Sequence, residues 1–409
     1  MSRPRRSLFV VQRYGAGVAG GAESLTRMLA EQLSARGDDV SVLTSCAVDY
    51  QTWRDDFTPG ITVEAGVTVH RLSVPKTRDA ERFGALSART IGRQPPALVQ
   101  QAWMREQGPV PERFVEHLGA LASHSDVAMF MTYLYPTTYF GIRSVSSQVP
   151  TILHPTAHDE LPMRIPLIRE NFDHATGLAY STPEEQALVE TRFRPTATSS
   201  VIGIGFDPSP PTGDAERFRS TFGLGTDPYL LYMGRIDPNK AADEAIELVR
   251  SYRRLRGSRL RLVLVGQPAM EIPDDDGIAV TGFVDDSVRW DALAGSVALL
   301  QPSYQESFSM VVAESWTAGV PGLVQGRCDV LAGLAERSGG ALAYSDGREF
   351  VASVDLLLES ADLRTEMGRR GRQHVLDNFT WDVVMERYES LIEASVDSFA
   401  ASKPPSRRR

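Results

Sequence analysis

Cysteine is nearly absent from this chain: Cys46 and Cys328 are the only two among 409 residues. They lie far apart and lack metal-ligand spacing, which excludes a disulfide framework and suits a reducing cytoplasm. Long hydrophobic runs are missing as well. The apolar run Leu8 to Val11 is too short for a signal-peptide core, and no stretch approaches the roughly 20 residues needed to span a bilayer. Positive charge is not in excess either. The net charge is −9, so no broad field attracts nucleic acid or an anionic membrane, and peripheral membrane contact has no motif behind it. The basic ends, Arg3, Arg5 and Arg6 and then Arg407 to Arg409, read as solvated tails. Low-complexity tracts and short internal repeats are also absent.

What is present is enough apolar content, 42%, to build two cores at this length. The first half alternates strands and helices: Leu8 to Gln12, a helix over Glu23 to Ala35, then strands at Val40 to Thr44, Val67 to Leu72, Val127 to Tyr133, Thr151 to His154 and Gly177 to Ser181. Such alternation predicts a parallel, doubly wound sheet. From Val74 to Ala120 it breaks into a stretch with two polar helical segments, read as an insertion. The pattern restarts at Tyr229 after a segment rich in Pro, Gly and Asp. The second half then predicts strands at Tyr229 to Gly234, Arg261 to Gly266, Ile278 to Thr281, Val297 to Gln301, Leu323 to Gln325 and Ala341 to Tyr344. The domains are therefore expected at 1–206 and 229–380, with 207–228 as linker, a closing helix over 381–398 and a tail at 399–409.

Four segments carry candidate chemistry. Gly15-Ala16-Gly17-Val18-Ala19-Gly20 formally contains G-x-G-x-x-G before a helix, and such glycines let backbone amides approach a diphosphate. A dinucleotide fingerprint also needs an acidic residue ending the second strand. That strand ends in Leu43-Thr44-Ser45-Cys46, which argues against NAD. In the second half, Gly234-Arg235 and Lys240 bracket a turn, where an Arg fork and a Lys point charge can close on one diphosphate. Glu306 and Glu314 flank Ser307, Phe308, Ser309 and Met310 at a strand-to-helix junction, with the helix expected to begin near Phe308. Carboxylates and free amides at that edge face the space where open α/β sheets bind ligands. Finally, His154 and His158 run off a strand of the first half. No paired-Asp metal motif accompanies these groups.

Together the segments resemble retaining glycosyltransferases of the GT-B fold, most closely glycosyltransferase family 4. That resemblance implies two Rossmann-like domains facing a cleft, with the last helix crossing back to the first domain. It implies transfer of a hexose from a UDP- or GDP-sugar, with no cofactor or metal, in glycan or glycoconjugate biosynthesis in the cytoplasm. By the same resemblance, Glu306 contacts donor-sugar hydroxyls, Glu314 grips the ribose hydroxyls, and Arg235 and Lys240 stabilise the leaving diphosphate. His158, with His154 as fallback, reaches the anomeric carbon. Gly20-Gly21-Ala22-Glu23 matches the family's Gly-Gly-x-Glu opening over the diphosphate, and the turns at Gly266 and at Gly282-Phe283-Val284 hold the base. The chain departs from the family in having Ser309 where Gly is common, Gly322 after Pro321, and Gly326-Arg327-Cys328-Asp329 in place of Gly-Gly-x-x-Glu. The acceptor, a saccharide, a lipid-linked saccharide or a small metabolite, stays open. A GT-B nucleotide-sugar epimerase and a non-catalytic nucleotide-binding protein are the alternatives.

Overall fold

The structure is a computed structural model that describes residues 3–18 and 20–403. Ala19, within the glycine loop, and the arginines at 407–409 lie outside the described residues. The chain divides into two units, Met1–Ile202 with Met385–Arg409, and Gly203–Val384.

The first unit is built on β1 (Arg6–Val10), β2 (Asp39–Ser45), β3 (Gly60–Glu64), β4 (Val67–Leu72), β5 (Val127–Met131), β6 (Thr151–His154), β7 (Gly177–Tyr180) and β8 (Thr198–Val201). They form one sheet in the order β3-β4-β2-β1-β5-β6-β7-β8. All neighbours are parallel except β3 and β4. β5 and β6 are buried along their whole length, as expected of parallel strands covered by helices on both faces. The core packs Leu8, Val10, Phe130 and Leu153 against helix residues such as Leu118, Ile142 and Val189.

Two strands escape the sequence reading. β3 is almost wholly exposed and pairs with β4 through a hairpin whose central residues, Ala65 and Gly66, both have positive φ. That is the geometry of a type I′ turn. β8, Thr198–Val201, is polar and closes the opposite edge. Neither carries the apolar run that marks an interior strand. The insertion holds three helices, Ala80–Thr90, Ala97–Gln107 and Phe114–Ala122, rather than two. Nor are the N-terminal arginines a solvated tail: Arg3 pairs with Asp126 and Arg5 with Asp38, each at 2.8 Å.

The second unit has β9 (Tyr229–Met233), β10 (Arg261–Val265), β11 (Ile278–Gly282), β12 (Ala298–Gln301), β13 (Gly322–Gln325) and β14 (Ala341–Tyr344). Their order, β11-β10-β9-β12-β13-β14, all parallel, is the doubly wound order with its reversal between β9 and β12. The segment expected to be a linker holds the helix Ala215–Thr221. Arg217 Nε donates to Asp291 Oδ2 at 2.6 Å and the Asp214 amide donates to Asp291 Oδ1 at 2.7 Å, fixing this helix to the second unit.

The last helix runs from Trp381 to Ser402, past the expected end at 398. From Met385 onward it belongs to the first unit. There Ser395 fills the space above Gly177, where an added Cβ would collide with its hydroxyl. No described helix is long and apolar enough to cross a membrane.

Candidate active site

The carboxyl ends of β9 and β12 supply the second unit's candidate groups. After β9 the chain turns through Gly234, at φ 132°, and Asp237 caps the short turn Pro238–Lys240 by accepting from the Asn239 and Lys240 amides at 2.8 and 3.2 Å. The other Asp237 oxygen pairs with Arg235 Nε, and Tyr232 donates its hydroxyl to the Arg235 carbonyl at 2.7 Å. The β10 exit is laced to this turn, Gly234 N donating to Val265 O and Ala269 N to Ile236 O. The approach is so close that a Cβ at Gly266 would overlap the Gly234 carbonyl oxygen. Gly266 is thus required by backbone contact, whatever it does for a ligand.

Glu306 follows β12. Its Oε1 accepts from Lys240 Nζ at 2.8 Å, with the Glu306 side chain 12% exposed. The helix expected from Phe308 begins instead at Met310, because Ser309 occupies the left-handed region at φ 77° as its N-cap. Glu314 consequently lies just over one turn into the helix rather than two. The Ser309 hydroxyl accepts from the buried Gln301 amide at 3.0 Å, so it is held to the strand below and does not hang into open space.

Phe308 is buried, its ring stacked 6.1 Å from Phe206 and edge-on to Phe379 at 4.9 Å. Its side chain belongs to the core, and only its backbone is left for a ligand. Glu314 pairs through Oε2 with Arg289. Burial pushes the Glu314 carboxyl above its ordinary range, outweighing the guanidinium that pulls it down. Phe283 is exposed and lines a cavity of about 300 Å³ with Arg217, Phe218, Phe222, Val288 and Asp291. None of Arg235, Lys240, Glu306 and Glu314 reaches that cavity.

Gly20, Gly21, His154 and His158 belong to the first unit. The helix after the glycine loop starts at Gly21. Glu23 of the Gly-Gly-x-Glu motif is buried and accepts from Gln12 Nε2 at 2.8 Å and Arg13 Nε at 2.9 Å. A Cβ at Gly20 would overlap its carboxylate. Arg13, which sequence reading passed over, thus latches this loop; the one available signal was an acid placed to need a counter-charge.

His154 is buried, its Nε2 2.9 Å from the Tyr388 hydroxyl, and burial pushes its pKa down to about 3. The fallback ring is thus withdrawn from solvent and engaged by Tyr388. His158 is partly exposed, with Nδ1 3.4 Å from Glu160 Oε1. Beneath its loop sits Glu185, also unforeseen, accepting from the Ala157 and Ser181 amides at 2.6 Å each. Thr182 caps the helix Pro183–Phe193, which carries Glu185, by accepting from Glu185 N, a T-x-x-E capping pattern visible in the sequence.

Residues 214–374 match the family described as Glycosyl transferases group 1. D-inositol 3-phosphate glycosyltransferase of Gordonia bronchialis is 29% identical over 47% of this chain and 46% of its own length, so the chain spans about half of that relative. The protein of the same name from Stackebrandtia nassauensis is 25% identical over 92% of this chain and 89% of its own. Among solved structures, the fold is shared with sucrose-phosphate synthase of Thermosynechococcus elongatus at a TM-score of 0.72 and 17% identity, covering 97% of this chain and 100% of that one. HepE of Anabaena in complex with UDP and glucose superposes with a TM-score of 0.68 at 14% identity, covering 95% and 100%. The chain thus shares the GT-B fold of these solved structures, and its second half, residues 214–374, is similar to the glycosyl transferases group 1.

Proposed function

We propose that this protein is a retaining, metal-independent glycosyltransferase that moves a hexose from a UDP- or GDP-sugar to an acceptor hydroxyl. The observation that carries the reading is the 2.8 Å hydrogen bond from Lys240 to Glu306. It joins a cation suited to a diphosphate and a carboxylate suited to sugar hydroxyls at the two strand exits flanking the reversal of the sheet. The UDP and glucose in the HepE complex support a nucleotide-sugar donor.

In this reading the bond from the anomeric carbon to the diphosphate oxygen breaks while the acceptor oxygen bonds to that carbon from the same face. The acceptor's proton passes to the departing phosphate oxygen. Arg235 and Lys240 stabilise the negative charge that builds on the diphosphate, and Glu306 holds the sugar, so rate comes from positioning and charge stabilisation. Glu314 holds the ribose. The turns at Gly266 and Phe283 would receive the base through backbone groups.

Incubation with UDP-glucose, UDP-galactose and GDP-mannose, followed by assay of released nucleoside diphosphate, tests transfer; NMR of the product anomer tests retention. A polyol phosphate belongs in the acceptor panel because the named relatives are inositol phosphate glycosyltransferases. Release with no new glycosidic bond in the presence of any acceptor would favour hydrolysis or epimerisation over transfer.

A further inference from the structure

The helix Asp286–Ala294 starts just after the turn Gly282-Phe283-Val284. Arg289, near its first turn, has two carboxylate partners. Nη1 donates to Asp286 Oδ1 at 2.9 Å on the same helix, and Nη2 donates to Glu314 Oε2 on the helix Met310–Thr317. Glu314 is largely withdrawn from water, its side chain 17% exposed. A carboxylate in such a place is costly to charge unless a cation compensates it. The charged groups facing it are Arg289, which favours its ionised form, and Asp286, which opposes it, both from the one helix.

We infer that Arg289 is a positioning residue for donor binding: it engages Oε2 of Glu314 and favours the ionised carboxylate against the cost of burial, leaving Oε1 to accept from a ribose hydroxyl. The inference rests on the reading of Glu314 as the ribose acceptor. It adds a link that the motif spacing does not contain. Arg289 rides on the helix that begins at the proposed base turn, so ribose recognition and base recognition share one rigid element. A merely structural ion pair would brace two helices and have no bearing on which hydroxyls the ligand carries.

The two readings separate in a binding cycle. Calorimetric titration compares UDP, or GDP if that is the base bound, with its 2′,3′-dideoxy analogue, on wild type and on Arg289→Met. A hydrogen bond to a charged acceptor predicts that wild type binds the dideoxy compound about tenfold or more weakly. In Arg289→Met the difference should shrink to about two- to threefold, as it should in Glu314→Gln, while Arg289→Lys restores part of it. Circular dichroism confirms folding, and Arg289→Lys serves alone if the Met variant is unfolded. Equal weakening of both compounds in the Arg289 variants, with the difference intact, overturns the inference. A wild type that binds UDP and its dideoxy analogue equally overturns it through Glu314. A wild type that binds neither UDP nor GDP overturns the nucleotide-sugar reading beneath it.

Discussion

Lys240 and Glu306, 66 residues apart in sequence, meet through a hydrogen bond of 2.8 Å from Nζ to Oε1. The contact exists because β9 and β12 are adjacent in the sheet though not in the chain, so the loops leaving them converge on one edge. A Lys held by a carboxylate at the place proposed for a diphosphate can be shared between the two, which gives the pair its catalytic interest.

Replacing Glu306, Lys240 or Arg235 by Ala should each lower kcat/KM by about 100-fold or more, the scale of removing one charge-stabilising contact from a transition state. The pair is partly exposed on the Lys240 side, 35%, so its loss should cost about 1 kcal/mol or less of stability. Steady-state rates alongside urea unfolding check both halves. Wild-type rates in all three variants would remove the site.

Ser309 offers a sharper test of local physics. Its left-handed backbone, at φ 77°, costs roughly 1–2 kcal/mol that Gly would not incur. Its bond to Gln301 contributes about 1 kcal/mol. Ser309→Gly should therefore stay within about 1 kcal/mol of wild type, whereas Ser309→Ala, which keeps the strain and loses the bond, should fall about 1–2 kcal/mol below it. Chemical denaturation orders them, and Ala at or above Gly would contradict the account.

Gly266→Ala should destabilise by about 2 kcal/mol or more, because its Cβ would meet the Gly234 carbonyl, a backbone atom that cannot rotate away. The same shift would displace the turn that carries Arg235. The donor KM should rise with the loss of stability, and an unchanged melting temperature would refute the contact.

Two buried groups of the first unit should titrate in opposite senses. Burial raises Glu185 from 4.5 to about 7, so the folded state holds its proton more tightly, and its stabilising share is full below pH 4.5 and lost as pH rises to about 7. Burial lowers His154 from 6.5 to about 3; its share is full above pH 6.5 and lost as pH falls toward 3. The Glu185 shift corresponds to about 3 kcal/mol. Stability curves of Glu185→Gln should lack the decline between pH 4.5 and 7, and those of His154→Asn should lack the acid-side loss. A wild-type slope retained in either variant counts against that assignment.

The interior of the fold was legible because burial on both faces writes long apolar runs. Thr151–His154 appears with the limits expected from sequence, and Arg261–Val265 differs by one residue; the edge strand Ala341–Tyr344 also keeps its expected limits, its four apolar residues marking it although only Tyr344 is buried. The exposed strand Gly60–Glu64, the polar edge Thr198–Val201 and the helix Ala215–Thr221 carry no such run. Of the candidate site, what a single turn or helix contains could be read: Arg235 with Lys240, Glu306 with Glu314. The partners could not. Arg289 reaches Glu314 across 25 residues and Glu185 reaches Ala157 across 28, pairings set by packing that leave no spacing to recognise.

The most direct test of a nucleotide-sugar site is thermal unfolding of wild type and Lys240→Ala in the presence of UDP, GDP, ADP and NAD. A ligand about a hundredfold above its Kd adds roughly 2.7 kcal/mol. The account predicts stabilisation of wild type by UDP or GDP, diminished in Lys240→Ala, and no response to NAD. Stabilisation by NAD alone, unaffected by the Lys240 substitution, would contradict it and return the glycine loop at Gly15 to Gly20 as a dinucleotide site.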